Sequence, residues 1–287
     1  MMSPKAQKII NDYLNLPFPG VEGVRCPYFN NAKVHARGQL RVLIGKGTPQ
    51  EIVEETKIIS LQYHAGLFDH DGHCCLHDGH GEKTGAEELR KFLIDHNLGI
   101  DCSGFATFIL RMHFLETTGV DIAKKFVKNI PAPWWRKIII RLRPVESIGV
   151  QSGYYNDKNT EKLGSEQTGY DYSKILPGDM VVMLETGPNN KRNHMLVITD
   201  CDGQKIKYAH SRAWSSEGQY GHGVNIGEIK IAKPGQGLLA QEWTEKIPPQ
   251  QESLFAAPEQ TTALGNETFL EAKNAKILEI RRIKNII

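Results

Sequence analysis

Apolar positions recur at helical spacing in the first part of this chain and in short uninterrupted runs in the second. The helical spacing predicts four helices, over residues 3–14, 48–63, 86–97 and 102–118. The second of these starts with a capping box, since Thr48 is followed three residues later by Glu51. The pattern therefore places several helices ahead of any extended strand.

The later runs predict strands separated by turn residues. The predicted strands cover residues 40–44, 180–184, 195–199, 206–209 and 224–231. The pair Asp202-Gly203 between two of them is typical of a hairpin turn. We interpret 64–85 and 151–174 as loops, and the pattern over 124–143 fits no single element. Helices followed by strands indicate an α+β fold with an antiparallel sheet.

The composition indicates an ordinary globular protein and adds little else. The 287 residues are 40% hydrophobic and 24% charged, with a net charge of +2, so a normal core is expected and nothing points to nucleic acid as a partner. Five cysteines at irregular spacing are not a secreted disulfide framework. No apolar run reaches the roughly 18 residues of a membrane span, and no signal peptide is recognised. We expect a cytoplasmic protein, with export by another route left open.

The most informative motif is Asp101-Cys102-Ser103-Gly104, which opens the fourth predicted helix. A thiol at a helix N-terminus lies near unpaired backbone N–H groups and the positive end of the helix dipole. Both favour thiolate, the nucleophilic form of cysteine. We therefore expect Cys102 to be a nucleophile and Asp101 to cap its helix.

A nucleophilic cysteine needs a base and a group that orients the base. His194 opens one predicted strand and His210 closes the next. If the strands form an antiparallel hairpin, the two histidines lie at the same end of it. The hairpin therefore predicts His194 as general base and His210 as its orienting partner.

Three motifs together resemble those of the NlpC-type cysteine peptidases, which are papain-like bacterial enzymes that cleave the peptide part of peptidoglycan. They are Asp-Cys-Ser-Gly-Phe opening a helix, Pro-Gly-Asp-Met-Val-Val opening a strand, and His-Met-Leu-Val-Ile opening the next, and they cover residues 99–212. The resemblance implies a papain-like fold with N-terminal helices packed on a central antiparallel sheet. It also implies thiolate attack on an amide carbonyl by Cys102, with His194 and His210 as the other catalytic residues.

The family's Pro-Tyr segment, whose tyrosine lies near the nucleophile, resembles Pro27-Tyr28 here, although more than 70 residues separate Tyr28 from Cys102. The candidate substrate-contacting residues are Tyr28, Asp101, Ser103 and Ser211. We divide the chain into a helical region with an insertion (1–98), a catalytic core (99–247) and a tail that ends in a helix or strand (248–287).

Two further segments carry alternatives. A histidine-rich loop offers metal-ligand chemistry, and its candidate ligands are His70, His73, Cys74, Cys75, His77 and His80. Their spacing fits no standard zinc site, so we favour a polar insertion without a metal or other cofactor. The basic segment 124–143, with Trp134 and Trp135, suits an anionic polymer or membrane surface, but we favour a packing element.

The sequence thus predicts a cysteine hydrolase that cleaves amide or isopeptide bonds, with a peptide or muropeptide as its partner. One alternative is a thiol acyltransferase or an amidase acting on a substrate outside the cell wall. Another is a non-catalytic metal- or wall-binding protein on a peptidase scaffold. The sequence predicts no oligomeric state.

Overall fold

The computed structural model describes residues 1–29, 40–69, 72, 74, 85–186, 189, 191–214, 218–245 and 266–286. These residues form an α+β fold, with helices packed on an antiparallel sheet. The helices are α1 (Pro4–Leu14), α2 (Pro49–Gln62), α3 (Ala86–Asp95), α4 (Cys102–Thr118), α5 (Ile122–Phe126), α6 (Trp134–Leu142), α7 (Gly218–Gly221) and α8 (Glu267–Asn274). The strands are β1 (Thr160–Ser165), β2 (Met180–Thr186), β3 (Arg192–Cys201), β4 (Lys205–Arg212), β5 (Gly223–Lys230), β6 (Glu242–Glu245) and β7 (Ile277–Ile283).

The strands form a single sheet in the order β1-β7-β2-β3-β4-β5-β6, with antiparallel neighbours throughout. Strands β2 to β6 follow one another as a meander, because each is paired with its successor in the chain. The predicted hairpin between β3 and β4 is confirmed. Its turn is fixed by Asp202, whose Oδ1 accepts the N–H groups of Gln204 and Lys205 at 2.9 and 2.8 Å. Gly203 supplies the positive φ of 83° that this turn requires.

The predicted capping box of α2 is also confirmed. Thr48 Oγ1 accepts the Glu51 N–H at 3.3 Å, and the Glu51 carboxylate accepts the Thr48 N–H at 2.8 Å. Two orphan donors at the helix start are satisfied reciprocally in this way. The local signal therefore correctly marks where α2 begins.

Apolar side chains cover both faces of the sheet. In β3, Met195 and Val197 join the main core under the helices, whereas Leu196 and Ile198 join a second cluster with Trp243 on the opposite face. A strand buried on both faces has no polar alternation. This burial accounts for the uninterrupted apolar run that the sequence shows there.

Two predictions of secondary structure are wrong. The segment 151–174, predicted as a loop, contains β1, and 40–44, predicted as a strand, forms the 3-10 turn Arg41–Ile44. The described end of the tail forms α8 and β7, and β7 lies between β1 and β2 in the sheet. Strands β1 and β7 pair with each other across more than a hundred residues, so no local pattern identifies their pairing.

Asp179, at the turn before β2, ties that strand to β7. Its Oδ2 accepts the Leu176 N–H at 2.7 Å, as expected of a turn residue. The same carboxylate accepts Arg282 Nε and Nη2 at 2.8 and 2.7 Å. A forked pair of this kind fixes geometry as well as charge. The aspartate of the Pro-Gly-Asp motif thus anchors strand β7 beside β2.

Candidate active site

Cys102 is the first residue of α4, as predicted. Asp101 is the N-cap, and its Oδ1 accepts the Gly104 N–H at 2.5 Å. The first backbone N–H groups of a helix have no partner within the helix. The Cys102 thiol therefore lies beside backbone donors that are suited to an anion.

The residue before this helix is held between two distant segments. Ile100 donates its N–H to the Pro27 carbonyl at 3.0 Å and accepts the Phe29 N–H at 3.1 Å. On its other side Ile100 forms a bridge with Lys46. This pairing brings Tyr28 next to the nucleophile in space despite the long interval in sequence.

Glycine is required twice in this junction because backbone passes close by. A Cβ on Gly99 would lie 2.4 Å from the Pro27 carbonyl oxygen. A Cβ on Gly104 would lie 2.6 Å from the Gly45 carbonyl oxygen. Contacts of that length exclude any side chain, so Gly99 and Gly104 allow the loops to approach the helix start.

Lys46 is a buried cation next to the nucleophile loop, and the sequence did not single it out. Its Nζ lies 2.9 Å from Asp101 Oδ1 and donates to Ser103 Oγ and to the Ile148 carbonyl at 2.5 and 3.1 Å. No local pattern identifies it, because these partners are 55 to 102 residues away in the chain. Lys46 and Asp101 form a buried ion pair that fixes the helix start.

Three predicted substrate-contacting residues make protein hydrogen bonds at this point. Asp101 and Ser103 are buried and bind Lys46. Ser211 is buried on β4, and its hydroxyl donates to the Ile100 carbonyl at 2.7 Å. Their polar groups are therefore engaged in holding the nucleophile loop, which suits a positioning role.

Burial opposes the thiolate that the helix N-terminus favours. Burial raises the pKa of the Cys102 thiol to about 12, and the Asp101 carboxylate adds to this while Lys46 opposes it. The helix N-terminus does not overcome that desolvation. Sγ contacts the carbonyl oxygen of Asn193 at 3.9 Å, so the neutral thiol rests against the start of β3.

The two predicted histidines are brought together. The register Val197↔Ala209, continued along the hairpin, sets His194 and His210 as diagonal neighbours on one face of the sheet. His194 Nε2 and His210 Nδ1 are 2.8 Å apart. Both side chains are buried, so this pair is isolated from bulk water.

A third member, Glu245 on β6, was not predicted. Its Oε1 lies 3.1 Å from His210 Nε2, although the geometry is not that of an aligned hydrogen bond and the contact is electrostatic. Tyr208 OH also donates to Oε1 at 2.9 Å, and Oε2 accepts Arg212 Nε and Asn225 Nδ2 at 2.6 and 3.0 Å. The Glu245 carboxylate thus has four polar side-chain partners.

Charge compensation keeps Glu245 ionised. Burial acts to raise its pKa, but His210 and Arg212 outweigh burial and hold the pKa of Glu245 far below its ordinary value. An anion facing His210 Nε2 favours the tautomer that carries its proton there. In the neutral form of this tautomer, His210 Nδ1 accepts the proton of His194 Nε2.

That assignment leaves a lone pair on His194 Nδ1. Among the described residues Nδ1 has no hydrogen-bond partner. Burial lowers the pKa of His194 to about 4. No hydrogen bond between described residues joins either ring nitrogen to Cys102 Sγ. The directions of the two pKa shifts favour a neutral thiol and a neutral imidazole.

Glu271 and Arg192 link the two halves electrostatically. Both charges contribute to the pKa of Cys102 and to that of His194. Thr186 Oγ1 donates to Glu271 Oε1 at 2.7 Å, and Arg192 Nη2 lies 3.6 Å from the same oxygen. Glu271 on α8 is therefore a charged residue of the site that the sequence did not single out.

Tyr28 lies within the influence of the nucleophile. Burial raises its pKa, and the next largest contribution to that rise comes from Cys102. Among the described residues its hydroxyl has no hydrogen-bond partner. The Tyr28 hydroxyl is thus a neutral hydrogen-bond donor near the thiol. No described protein group accepts its hydrogen bond.

Five of the six candidate metal ligands lie outside the described residues. His70, His73, Cys75, His77 and His80 lie outside the described residues, and Cys74 lies within them. The described part of the chain contains no group of three or more residues suited to hold a metal ion.

Comparison of the chain with models of protein families, with curated proteins and with solved structures gives no match.

Proposed function

We propose that the protein is a cysteine hydrolase that cleaves amide or isopeptide bonds, with Cys102 as nucleophile and His194 as general base. One observation carries this proposal. A thiol at a helix N-terminus contacts the carbonyl oxygen of Asn193, and the next residue is an imidazole oriented by His210. A nucleophile, a base and an orienting group are the parts that covalent amide hydrolysis requires.

The proton arrangement favours attack coupled to proton transfer. The Cys102 sulfur forms a bond to the substrate carbonyl carbon while its proton moves to the lone pair of His194 Nδ1. This transfer needs Sγ to leave the Asn193 carbonyl and turn toward the ring, a movement that substrate binding would drive. The imidazolium that forms donates from Nε2 to His210 Nδ1.

The developing oxyanion has two candidate donors, the Cys102 backbone N–H and the Tyr28 hydroxyl. Donors aimed at charge that appears only in the transition state lower the barrier without reorganising. Collapse of the intermediate breaks the carbon–nitrogen bond, and His194 returns its proton to the leaving amine. His194 then takes a proton from water, which attacks the thioester and releases the acid and the free thiol.

The substrate class rests on the motif resemblance, which favours peptides derived from peptidoglycan. We therefore propose muropeptides as substrates. Transfer of the acyl group to an amine instead of water uses the same thioester and differs only in the second step.

Muropeptides and isopeptides are incubated with the wild type, Cys102→Ala and Cys201→Ala, and the products are read by mass spectrometry. Cys201 is a matched control, because its thiol contacts the Tyr172 carbonyl on another part of the sheet. We expect Cys102→Ala to lose at least about 10³-fold in activity and Cys201→Ala to stay near wild type. Full activity in Cys102→Ala, or cleavage of no substrate by the wild type, would contradict the proposal. An added amine acceptor distinguishes acyl transfer from hydrolysis.

A further inference from the structure

Helix α6 exposes its apolar residues. Trp134 is 76% exposed, Leu142 is 77% exposed, and Trp135, Ile138 and Ile139 are each at least half exposed. Ile140 is the buried residue of this helix. The sequence-based expectation of a packing element is therefore wrong for α6, because its apolar side chains do not face the core.

The exposed residues form one continuous face. Trp134, Ile138 and Leu142 follow at intervals of four, and Trp135 and Ile139 form a second row beside them. Side chains three or four residues apart lie on the same side of a helix. Helix α6 thus contacts the protein through Ile140 and turns an apolar stripe outward.

Cations surround this stripe without acidic neighbours in sequence. No aspartate or glutamate occurs between Asp121 and Glu146, whereas seven lysines and arginines do. Five of those cations have no ion pair or side-chain hydrogen bond with any described residue: Lys124, Lys128, Arg136, Lys137 and Arg141. The exposed apolar face is therefore embedded in positive charge that is not neutralised by the described part of the protein.

We propose that α6 docks on an anionic lipid surface, with its apolar stripe in the interface and its cations on the head groups. Tryptophan and aliphatic residues on one side of a short helix, with Lys and Arg around them, are typical of interfacial helices. Among the described residues no helix has the length and apolar content to cross a bilayer, so α6 would lie on the surface.

The combination of positive charge and an exposed apolar face favours an anionic membrane over other partners. A nucleic acid or acidic glycan would neutralise the cations but would leave Ile138 and Leu142 in water. A second copy of the chain would cover the apolar stripe but would bring two basic faces together in a self-complementary dimer. An anionic membrane satisfies both features at once.

The segment that follows α6 contacts the nucleophile site. Arg143, just after α6, pairs with Glu146 at 3.1 Å, and Ile148 accepts the buried Lys46 Nζ. The segment that follows the lipid-facing helix therefore contacts the ion pair that fixes Cys102. The proposal does not depend on the reaction at Cys102 and is tested without it.

The test measures binding of the full chain to phosphatidylserine–phosphatidylcholine vesicles and to pure phosphatidylcholine vesicles by cosedimentation and tryptophan emission. Trp214 and Trp243 are buried, so a blue shift reports on the exposed pair in α6. We expect binding and a blue shift with the anionic vesicles alone. Raising the ionic strength from about 0.1 M to about 1 M should weaken binding, because the Debye length falls from about 10 Å to about 3 Å.

Two apolar pairs give a matched comparison. Ile138→Ser with Leu142→Ser should weaken binding to anionic vesicles at least about ten-fold, since both side chains would enter the interface. Ile58→Ser with Leu61→Ser on α2 removes the same residue types from positions 48% and 65% exposed and should bind like the wild type. Circular dichroism confirms that both variants fold.

Charge is tested separately. Lys137→Gln with Arg141→Gln should weaken binding about 25-fold, at about five-fold for each cation near an anionic surface. Lys158→Gln with Lys191→Gln, at exposed positions elsewhere, should change it much less. An equal loss of vesicle binding in the two double variants would overturn the proposal, because binding would then not depend on the position of the cations.

Three other results would also overturn it. The first is no binding of the wild type to anionic vesicles. The second is binding to heparin or a polynucleotide, sensitive to the same cation variants, without vesicle binding. The third is concentration-dependent self-association that Ile138→Ser with Leu142→Ser abolishes while vesicle binding stays at the wild-type level.

Discussion

The two halves of the candidate site are built in different ways. The histidine half comes from one side of the sheet, with His194 on β3, His210 on the neighbouring β4 and Glu245 on β6, beyond β5. The nucleophile half gathers segments scattered through the chain around Cys102, including Lys46 and the carbonyl of Ile148. One half depends on strand register, and the other depends on a buried ion pair.

That difference bears on how each half is stabilised. In the histidine half the acid is neutralised by several donors, including Arg212. In the nucleophile half the compensation for Asp101 rests chiefly on Lys46. A single substitution should therefore disturb the nucleophile half more than the histidine half.

Lys46→Met should lower the free energy of unfolding by about 3 to 5 kcal/mol, because it leaves the buried Asp101 carboxylate without its counter-ion. Urea denaturation measures the change. Lys124→Met, at an exposed position, is the matched control and should stay within about 0.5 kcal/mol of wild type. Asp101→Asn in the Lys46→Met background should recover part of the loss, since asparagine still caps a helix. A loss below about 1 kcal/mol in Lys46→Met would contradict the ion-pair account.

The resting thiol of Cys102 should react slowly with iodoacetamide at neutral pH. A pKa near 12 leaves about a thousand-fold less thiolate than an ordinary cysteine has. The alkylation rate of the wild type, corrected with Cys102→Ala for the other cysteines, should keep rising with pH above about 9. A plateau below pH 7 would instead show a thiolate–imidazolium pair and would reverse the proton arrangement assigned to the site.

The buried neutral His194 should make the protein sensitive to acid. Its pKa is lowered from 6.5 to about 4 on folding, so the unfolded chain binds the proton first. Stability is therefore full above about pH 6.5 and falls as pH drops toward 4, by about 2 kcal/mol between pH 7 and 4.5. Urea denaturation at pH 7 and at pH 4.5 measures the loss in the free energy of unfolding. This loss should be smaller in His194→Gln than in the wild type by about 2 kcal/mol. Equal losses in the two proteins would exclude this histidine as the cause.

Glu245→Gln should reduce kcat/KM about ten-fold, because an amide no longer fixes the tautomer of His210 and the orientation is transmitted to His194 indirectly. The acid limb of the pH profile should shift as well, a readout that a merely structural residue would not move. Glu242→Gln on the same strand, where Glu242 pairs with the exposed Lys230, is the control. An unchanged profile in Glu245→Gln would remove Glu245 from the proposed relay.

Much of the histidine half could be predicted from the sequence. The Asp202-Gly203 turn and the apolar runs beside it define the hairpin, and the hairpin brings His194 to His210. Glu245 could not be predicted, because β6 is a four-residue strand whose position depends on pairing with β5. Local signals therefore identify a hairpin but not the next partner across the sheet.

The nucleophile half was predictable only at the helix start. The Asp101 cap and the glycine that follows the thiol are local features, whereas Lys46 looks like any other lysine in the sequence. Tyr28 shows the same limit, since its pairing with Ile100 spans more than 70 residues. The pKa of Cys102 shows a related limit, because desolvation depends on the whole fold, whereas the helix start is visible locally.

The insertion of β7 between β1 and β2 has a consequence for how the chain folds. Strands β2 to β6 form contacts of low sequence separation, whereas Met180 pairs with Arg281 about a hundred residues away. Contacts of that separation form slowly, because loop closure must come first. During synthesis the edge of β2 would stay open until residue 283 has left the ribosome, and an open strand edge pairs readily with other chains. The Arg282–Asp179 fork should then act late, as the lock that closes this edge and protects the nascent sheet from aggregation.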